Sequence, residues 1–196
     1  MNILVLNYEF PPLGGGASQV SFEIAKRYVG KGHNVDVITM GFKGLPDFEV
    51  IDGVRVFRVK ALRKKEATCE THEMLSYVIS AILFVRKNID IQKYDACHCH
   101  FLIPTGLVAL YLKNRFDLDY IVTIHGSDIP GFNPDRFKLE HVFTKPLLKK
   151  VANQAKAVCS PSHYLKDLAE QNIGIAEIVH VPNAIDLAEF KLDYSK

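Results

Sequence analysis

The sequence predicts an α/β fold: a Rossmann-like, doubly wound and mostly parallel sheet between two layers of helices, in a single domain. Short apolar runs alternate with helical patterns along the 196 residues, as they do in chains of βαβ units. The first apolar run leads directly into a glycine-rich loop, which is typical of strand–loop–helix units that bind anions. The length suits one well-packed domain rather than two.

Seven short apolar runs are predicted to be strands, because they are rich in β-branched and aromatic residues and are bounded by turn or helix signals. They are Ile3–Leu6, Val35–Met40, Val54–Val59, Tyr94–Cys99, Tyr120–Ile124, Ala157–Ser160 and Ile178–Val181. The Asp52-Gly53 pair before the third run predicts a hairpin or an edge position there.

Five helical patterns lie between these runs. The first begins near Ala17, places Val20, Ile24 and Tyr28 on one face, and stops where glycines follow. The second, His72–Asn88, is apolar nearly all round, so we expect it to be buried. The remaining patterns are Gly106–Arg115, Lys138–Ala152 and Tyr164–Gln171.

The composition excludes several classes of protein. Apolar residues make up 48% of the chain and charged residues 23%, as in globular domains. A net charge of +2 does not predict binding to nucleic acid. There is no signal-peptide pattern, the longest apolar stretch is too short to span a bilayer, and the four cysteines lack the spacing of a disulfide framework. We therefore expect a cytoplasmic protein.

The glycine-rich loop, Pro11-Pro12-Leu13-Gly14-Gly15-Gly16, is a candidate site for phosphate or carboxylate. Glycines let another molecule approach the backbone without meeting a Cβ atom. The start of the following helix offers free N–H groups and a positive dipole end. A plain turn from strand to helix is the alternative interpretation.

Polar side chains follow other strands at the edge where doubly wound sheets bind ligands. His100 follows the fourth strand, and His125-Gly126-Ser127-Asp128 follows the fifth. The second group is the best chemical site, because a buried strand holds His125 and Gly126 permits a sharp turn. Ser127 and Asp128 could bond backbone groups or substrate hydroxyls, and Asp128 could instead fix the imidazole tautomer. A structural cap without a ligand is the alternative.

Residues 97 to 100 alternate cysteine and histidine, which raises the question of a metal site. Successive side chains of a strand point to opposite faces, so Cys97 and Cys99 would face one side, and His98 and His100 the other. Zinc needs four convergent ligands. We therefore expect no metal, interpret the thiols as small buried apolar groups, and expect His100 rather than His98 to reach the crevice.

Six motifs resemble those of the family 4 glycosyltransferases, retaining sugar transferases with the two-domain GT-B fold. They keep the family's order and spacing and cover nearly the whole chain. The motifs are Phe10-Pro11-Pro12-Leu13-Gly14-Gly15-Gly16, Glu23-Ile24-Ala25 with Gly32-His33-Asn34-Val35, Asp95-Ala96-Cys97-His98-Cys99-His100, Thr123-Ile124-His125-Gly126-Ser127-Asp128, Ala157-Val158-Cys159-Ser160-Pro161-Ser162, and Val181-Pro182-Asn183-Ala184-Ile185-Asp186.

The resemblance implies an N-terminal, acceptor-binding domain that works with a C-terminal domain holding a nucleotide-sugar donor. Gly15 and Gly16 match glycines that approach the donor diphosphate. His125 matches the histidine beside the reacting sugar, which implies a catalytic role. Retaining transfer would need no carboxylate nucleophile, and we expect no metal or other cofactor. His100, Ser127 and Asp128 are candidates for binding the acceptor or the sugar.

The resemblance also divides the chain. Residues 1–181 match the Rossmann-like domain, and residues 182–196, with Asn183 in the Val-Pro-Asn motif, match the start of the hinge to the donor-binding domain. The donor-binding motifs themselves are absent from the sequence, so we expect this chain alone to be inactive. A non-catalytic sugar- or phosphate-binding half-protein with a separate donor-domain partner is an alternative. Another nucleotide-binding α/β enzyme, such as an oxidoreductase, is a third interpretation.

A run of cations lies between the third strand and the second helix: Arg55, Arg58, Lys60, Arg63, Lys64 and Lys65. A solvated loop would explain this run. The alternative is contact with a phosphorylated acceptor or, peripherally, with the anionic inner face of a membrane, where family relatives that glycosylate lipids dock through this region. Arg136 is a weaker candidate for acceptor binding.

Overall fold

The computed structural model describes residues 1–132, 138–175 and 177–183, with residues 138–143 described by backbone only. Its strands are β1 Asn2–Leu6, β2 Asn34–Met40, β3 Phe48–Ile51, β4 Val54–Val59, β5 Ala96–His100, β6 Tyr120–Thr123, β7 Ala157–Ser160 and β8 Ile178–His180. Its α-helices are α1 Gly16–Gly30, α2 Thr71–Asn88, α3 Thr105–Phe116, α4 Lys138–Gln154 and α5 His163–Ile173. A single 3-10 turn, Ile91–Lys93, precedes β5.

All eight strands form one sheet in the order β3-β4-β2-β1-β5-β6-β7-β8. Every neighbouring pair is parallel except β3 with β4. The predicted α/β, mostly parallel fold is therefore confirmed. The chain moves outward from β1 through β2 and β4, and then returns to β5 on the other side of β1. Ligands bind at such a reversal in doubly wound sheets, so the topology directs attention to the ends of β1 and β5.

The direction of winding explains which face each helix covers. Helix α1 leads from β1 to β2 and packs on the face that carries Val5 and Val37. Helices α2 to α5 lead in the opposite direction and pack on the face that carries Leu4 and Leu6. Because parallel crossovers are right-handed, reversing the direction along the sheet moves the helix to the other face. The three-layer arrangement is thus confirmed.

Strands β3 and β4 form the hairpin that the Asp52-Gly53 pair predicts. The two residues have φ values of 49° and 80°, as the central residues of a type I′ turn require. Strand β3 itself was missing from the sequence prediction. It is short, pairs only with β4, and leaves Phe48 and Val50 at least half exposed, so it has no strong apolar pattern.

Helix α2 is buried on one face only, so the expectation that it is buried all round was wrong. Tyr77 and Ala81 pack into the core and are 0% exposed, whereas Leu75, Ile79 and Leu83 are 58%, 53% and 57% exposed. These three residues are spaced by four and share one face, which we call the α2 stripe. The apolar composition is uniform around the helix, but the sheet and α3 cover only part of it. No helix within the described ranges is long and apolar enough to cross a membrane.

Candidate active site

The glycine-rich loop leads from β1 into α1 with its backbone exposed. Gly15 is the N-cap of α1, and no described residue accepts a hydrogen bond from the N–H groups of Gly16 or Ala17. A Cβ atom added at Gly15 or Gly16 would meet nothing within 4 Å. At Gly14, φ is 90° and an added Cβ would lie 2.6 Å from the Cβ of Glu9. Gly14 is therefore needed for the backbone conformation of the loop, while Gly15 and Gly16 leave space for another molecule.

Two arginines of the basic run support this loop. Arg58 is 3% exposed and donates a hydrogen bond of 3.2 Å to the carbonyl oxygen of Pro11. Arg63 donates a hydrogen bond of 3.2 Å to the carbonyl oxygen of Tyr8. Since both carbonyls belong to the segment between β1 and the glycines, these arginines hold the segment from one side. Neither sequence interpretation of the basic run foresaw this structural role.

The run therefore divides into two groups. Arg55 pairs with Asp36, so it is a third cation with a partner inside the protein. Lys60, Lys64 and Lys65 are exposed. Only these three lysines remain available for an anionic partner outside the domain.

His125 follows β6 and is half-buried at the same edge of the sheet. The centroid of its ring lies 4.8 Å from that of Phe101, which follows β5. The Phe101 centroid in turn lies 5.0 Å from that of Tyr8, which follows β1. Phe101 has a φ of 74°, a left-handed conformation of the kind that is concentrated at functional sites when a non-glycine residue adopts it. The three rings join the loops after β1, β5 and β6 where the strand order reverses.

Asp128 orders two of these loops through their backbones. Its carboxylate accepts hydrogen bonds from the N–H groups of Leu102, at 2.8 Å, and His125, at 3.1 Å. Burial raises the pKa of Asp128 to about 6, although the backbone hydrogen bonds act in the opposite direction. The sequence allowed Asp128 to bond backbone groups, to bond a substrate hydroxyl or to fix the tautomer of His125. The structure supports bonding to the backbone, because the imidazole of His125 is hydrogen-bonded to another residue.

That partner is His100, whose ring lies between those of His98 and His125. The ring centroids of His98 and His100 are 4.4 Å apart, and those of His100 and His125 are 5.2 Å apart. Nδ1 of His100 lies 3.0 Å from Nε2 of His125. His100 is 0% exposed, so here it contacts His125 and offers no surface to a sugar or acceptor. We therefore revise its expected role from binding to support.

Burial keeps the stacked rings uncharged at neutral pH. It lowers the pKa of His98 to about 4 and that of His125 to about 3, and it holds the pKa of His100 well below its usual range. His98 is also fixed at both nitrogens, by the hydroxyl groups of Tyr28 at 3.0 Å and Thr123 at 2.8 Å. His125 is thus a neutral ring at pH 7.

The remaining predicted site residues are Ser127, Arg136 and Asn183. Ser127 is half-buried, and its hydroxyl group has no hydrogen-bond partner in the described part of the chain. Arg136 lies outside the described residues. Asn183 is exposed, and its role at a hinge stays a prediction, as does the division between residues 1–181 and 182–196.

The strand geometry predicted for residues 97 to 100 is correct. Cys97 and Cys99 belong to the core on the α2–α5 face, at 1% and 0% exposure, as expected for small apolar groups. His98 pairs in register with Val5 and therefore faces α1. Within residues 1–132, 144–175 and 177–183, no group of three or more His, Cys, Asp or Glu side chains could hold a metal ion.

Sequence reasoning missed Tyr8, Phe101 and Tyr28 as parts of the site. Tyr8 lies two residues after β1 and Phe101 directly after β5, so an aromatic residue near a strand end was the available signal. Tyr28 gave no signal, because only the packing of α1 on the sheet brings it to His98.

A doubly wound sheet with an open glycine loop at the reversal of strand order is typical of domains that bind phosphate-bearing ligands. The family model described as Glycosyltransferase Family 4 matches residues 14–189. The chain therefore belongs to glycosyltransferase family 4.

Individual relatives agree with this assignment. An uncharacterized glycosyltransferase from Methanocaldococcus jannaschii is 32% identical over 133 residues, which cover 66% of this chain and 32% of the relative. The chain spans about a third of the length of the curated relatives it matches.

Solved structures show the same fold. Sucrose-phosphate synthase from Thermosynechococcus elongatus matches with a TM-score of 0.72 at 16% identity, covering 96% of this chain and 49% of that one. The catalytic domain of starch synthase IV from Arabidopsis thaliana, bound to ADP and acarbose, matches with a TM-score of 0.68 at 15% identity, covering 95% and 52%. The chain thus has the Rossmann-like fold of GT-B glycosyltransferases.

Proposed function

We propose that this chain is the N-terminal, acceptor-binding domain of a retaining glycosyltransferase. The complete enzyme transfers a sugar, such as a hexose, from a nucleotide-sugar donor to a hydroxyl group of a sugar, lipid or other acceptor. The observation that carries the proposal is the meeting of the loops after β1, β5 and β6, through Tyr8, Phe101 and His125, at the reversal of strand order. The ADP bound to the starch synthase relative supports a nucleotide-linked donor.

Each part of the site has a role in this proposal. The exposed N–H groups of Gly16 and Ala17 face the donor diphosphate, because a helix start favours negative charge. His125 and Ser127 bind oxygen atoms of the reacting sugar or the acceptor. The departing phosphate oxygen takes the acceptor proton on the same face of the sugar, so the anomeric configuration is retained. Catalysis then depends on positioning and on electrostatic stabilisation, with no resident metal or cofactor.

Membership of the family favours a transferase over a non-catalytic half-protein. We propose that residues 1–181 form the domain and that the hinge begins at residue 182, with Asn183 at the junction. In this arrangement the donor-binding residues lie in a second domain, so residues 1–196 alone have no transferase activity. Arg136 remains a proposed contact for the acceptor.

Alanine at Gly16 tests the assignment of the glycine loop to the donor. Because an added Cβ meets nothing within 4 Å, Gly16→Ala should change the free energy of unfolding by less than about 0.5 kcal/mol. In the complete enzyme the new methyl group occupies the space that the diphosphate approaches. We expect KM for the donor to rise about tenfold, equivalent to about 1.4 kcal/mol. Steady-state transfer assays across donor concentrations provide the measurement.

Gly30→Ala is the matched control for this variant. Gly30 lies at the other end of α1, and a Cβ added there also has no neighbour within 4 Å. The control should leave both stability and KM unchanged. An unchanged donor KM in Gly16→Ala would contradict the role of the loop in donor binding.

We further propose that the α2 stripe contacts an anionic membrane surface peripherally. Lys64 and Lys65 are exposed before α2, and Arg86 and Lys87 are exposed at its end. Leu62 is 64% exposed, and its backbone N–H donates a hydrogen bond of 2.9 Å to Ser76 on α2, so it extends the apolar surface. Apolar side chains flanked by cations suit the boundary between acyl chains and anionic headgroups.

Vesicle flotation tests the membrane proposal. The protein should float with phosphatidylcholine vesicles that contain phosphatidylserine and should remain unbound with phosphatidylcholine alone. Replacing Ile79 and Leu83 together with serine should reduce the bound fraction several-fold. Val179→Ser is the control, because Val179 is 49% exposed on β8, at the far edge of the sheet from β4. Equal flotation with both vesicle types would refute the contact.

A further inference from the structure

We infer that His100 is a positioning residue that holds His125 in its Nδ1–H tautomer, so that the nitrogen His125 offers to a ligand is a hydrogen-bond donor. The tautomer follows from the geometry of the buried histidines. Only its meaning for catalysis rests on the proposed function.

The two rings share a single hydrogen between their facing nitrogens. Nδ1 of His100 and Nε2 of His125 are 3.0 Å apart, which is hydrogen-bond distance. A neutral imidazole carries one N–H donor and one lone-pair acceptor. Either His100 donates from Nδ1, or His125 donates from Nε2. Each choice fixes the protonation of the other nitrogen in both rings.

Nε2 of His100, the ring nitrogen that points away from His125, shows which of the two residues donates. Nε2 of His100 is buried and has no hydrogen-bond partner among the described residues. If His125 donated, the proton of His100 would sit on that Nε2 as a buried N–H group without an acceptor. Orphaned N–H groups are rare in proteins, and each costs about 1–3 kcal/mol in lost hydration. When His100 donates from Nδ1, its Nε2 carries only a lone pair, and this costly donor does not arise.

His98 helps to hold His100 in this orientation. Its ring is stacked on His100 with an interplanar angle of 28°. Both of its nitrogens are occupied by the hydroxyl groups of Tyr28 and Thr123, so His98 cannot serve as the missing partner of His100. Among the described residues, His125 is therefore the one polar neighbour toward which the ring of His100 can donate.

The consequence concerns the outer nitrogen of His125. Since Nε2 accepts from His100, the proton of the neutral ring lies on Nδ1. Nδ1 has no hydrogen-bond partner in the described part of the chain, and it is not among the buried unsatisfied atoms. Nδ1 of His125 is therefore available to a ligand, and as an N–H group it can only donate a hydrogen bond. The ligand must present an oxygen acceptor, such as a sugar hydroxyl or a phosphate oxygen, and His125 does not act as a general base on it.

Nitrogen-15 NMR of the imidazole rings tests the tautomer in the protein at pH 7.5. We expect a protonated-nitrogen shift at Nδ1 of His125 and a lone-pair shift at Nε2. The opposite pattern would overturn the inference without the need for any variant. The measurement requires no donor, acceptor or activity.

Variants at His100 add a second readout. Aspartate is nearly isosteric with asparagine but offers a carboxylate that only accepts hydrogen bonds, so in His100→Asp we expect His125 to shift toward the Nε2–H tautomer. Asparagine can instead place an amide N–H near the position of Nδ1, so His100→Asn should keep the Nδ1–H form. His72→Asp, on the exposed start of α2, should leave the His125 signals unchanged. An Nδ1–H tautomer that persists in His100→Asp would show that residue 100 does not determine it.

In the complete enzyme, the positioning role should affect kcat more than donor KM. We expect His100→Asp to lower kcat about tenfold, and His100→Asn to recover most of that loss. If the complete protein transfers no sugar but the wild-type tautomer is Nδ1–H, the proposed function fails and the inference stands. If the tautomer is Nε2–H, the inference fails, whatever the activity.

Discussion

His125→Ala is expected to lower the transfer rate of the complete enzyme by a factor on the order of 10², the usual loss when one preorganised hydrogen-bond donor is removed from an active site. The half-buried ring offers a neutral N–H group near the meeting point of three loops. Alanine removes that donor and leaves a space that water can enter, which weakens the remaining electrostatic interactions. Single-turnover measurements at saturating donor and acceptor report this effect directly.

The fold should survive this substitution. Removing His125 deprives Nδ1 of His100 of its acceptor, which costs about 1–3 kcal/mol. The hydrogen bond from residue 125 to Asp128 is preserved, because its donor is the backbone N–H group. His72→Ala is the control and should retain both rate and stability. A turnover of His125→Ala equal to that of the wild type would refute the assigned role.

Three buried histidines and Asp128 are together expected to cost the domain about 4–5 kcal/mol of stability between pH 7 and pH 5. His98, His100 and His125 all have a pKa that burial lowers in the folded state. Above pH 6.5 these rings are neutral in both states and contribute no pH dependence. Below pH 6.5 the unfolded chain binds protons that the folded chain does not, so stability falls with pH. At pH 5 each ring accounts for about 2 kcal/mol of the loss.

Asp128 acts in the opposite direction. Burial raises its pKa to about 6 in the folded state, so the folded chain binds a proton more readily than the unfolded chain as the pH falls from 7 to 5. Between pH 7 and pH 5 this carboxyl group therefore raises the free energy of unfolding by about 1.4 kcal/mol. The net loss is therefore smaller than the three histidines alone would cause.

Urea unfolding at pH 7 and pH 5 measures this loss of stability. A variant that replaces one of the three histidines measures the contribution of that ring alone. In His98→Asn the difference in the free energy of unfolding between the two pH values should shrink by about 2 kcal/mol. His72→Gln is the matched control, since the side chain of His72 is 52% exposed, and its difference should equal that of the wild type. If His98→Asn and the wild type lost the same stability on acidification, His98 would not be the buried neutral ring described here.

The sequence was sufficient for the features that depend on local pattern. Alternating apolar runs and helical periodicities predicted all of the parallel strands, because a strand buried on both faces needs a continuous apolar run. The turn chemistry of Asp52-Gly53 predicted the hairpin. The motif spacing predicted the family, and the position of His125 after a buried strand predicted that it lies at the ligand edge of the sheet.

Other features depended on which surfaces other elements cover. Helix α2 is apolar on every side in the sequence, but the sheet and α3 leave the α2 stripe exposed. Arg58 and Arg63 look like members of a solvated run, yet they bond to carbonyls 47 and 55 residues earlier in the chain. Such contacts arise from strand order, which a local pattern does not encode.

The sequence alone determined the fold class, the family and the likeness of His125 to a catalytic residue. Only the tertiary structure decided how that residue is held. His100 and His125 are 25 residues apart, and Tyr28 and His98 are 70 apart, so neighbouring strands and α1 had to assemble before these rings could meet. Burial then suppresses protonation of the rings, and the unpartnered nitrogen of His100 selects the tautomer. Both are properties of an environment that exists only once the chain has folded.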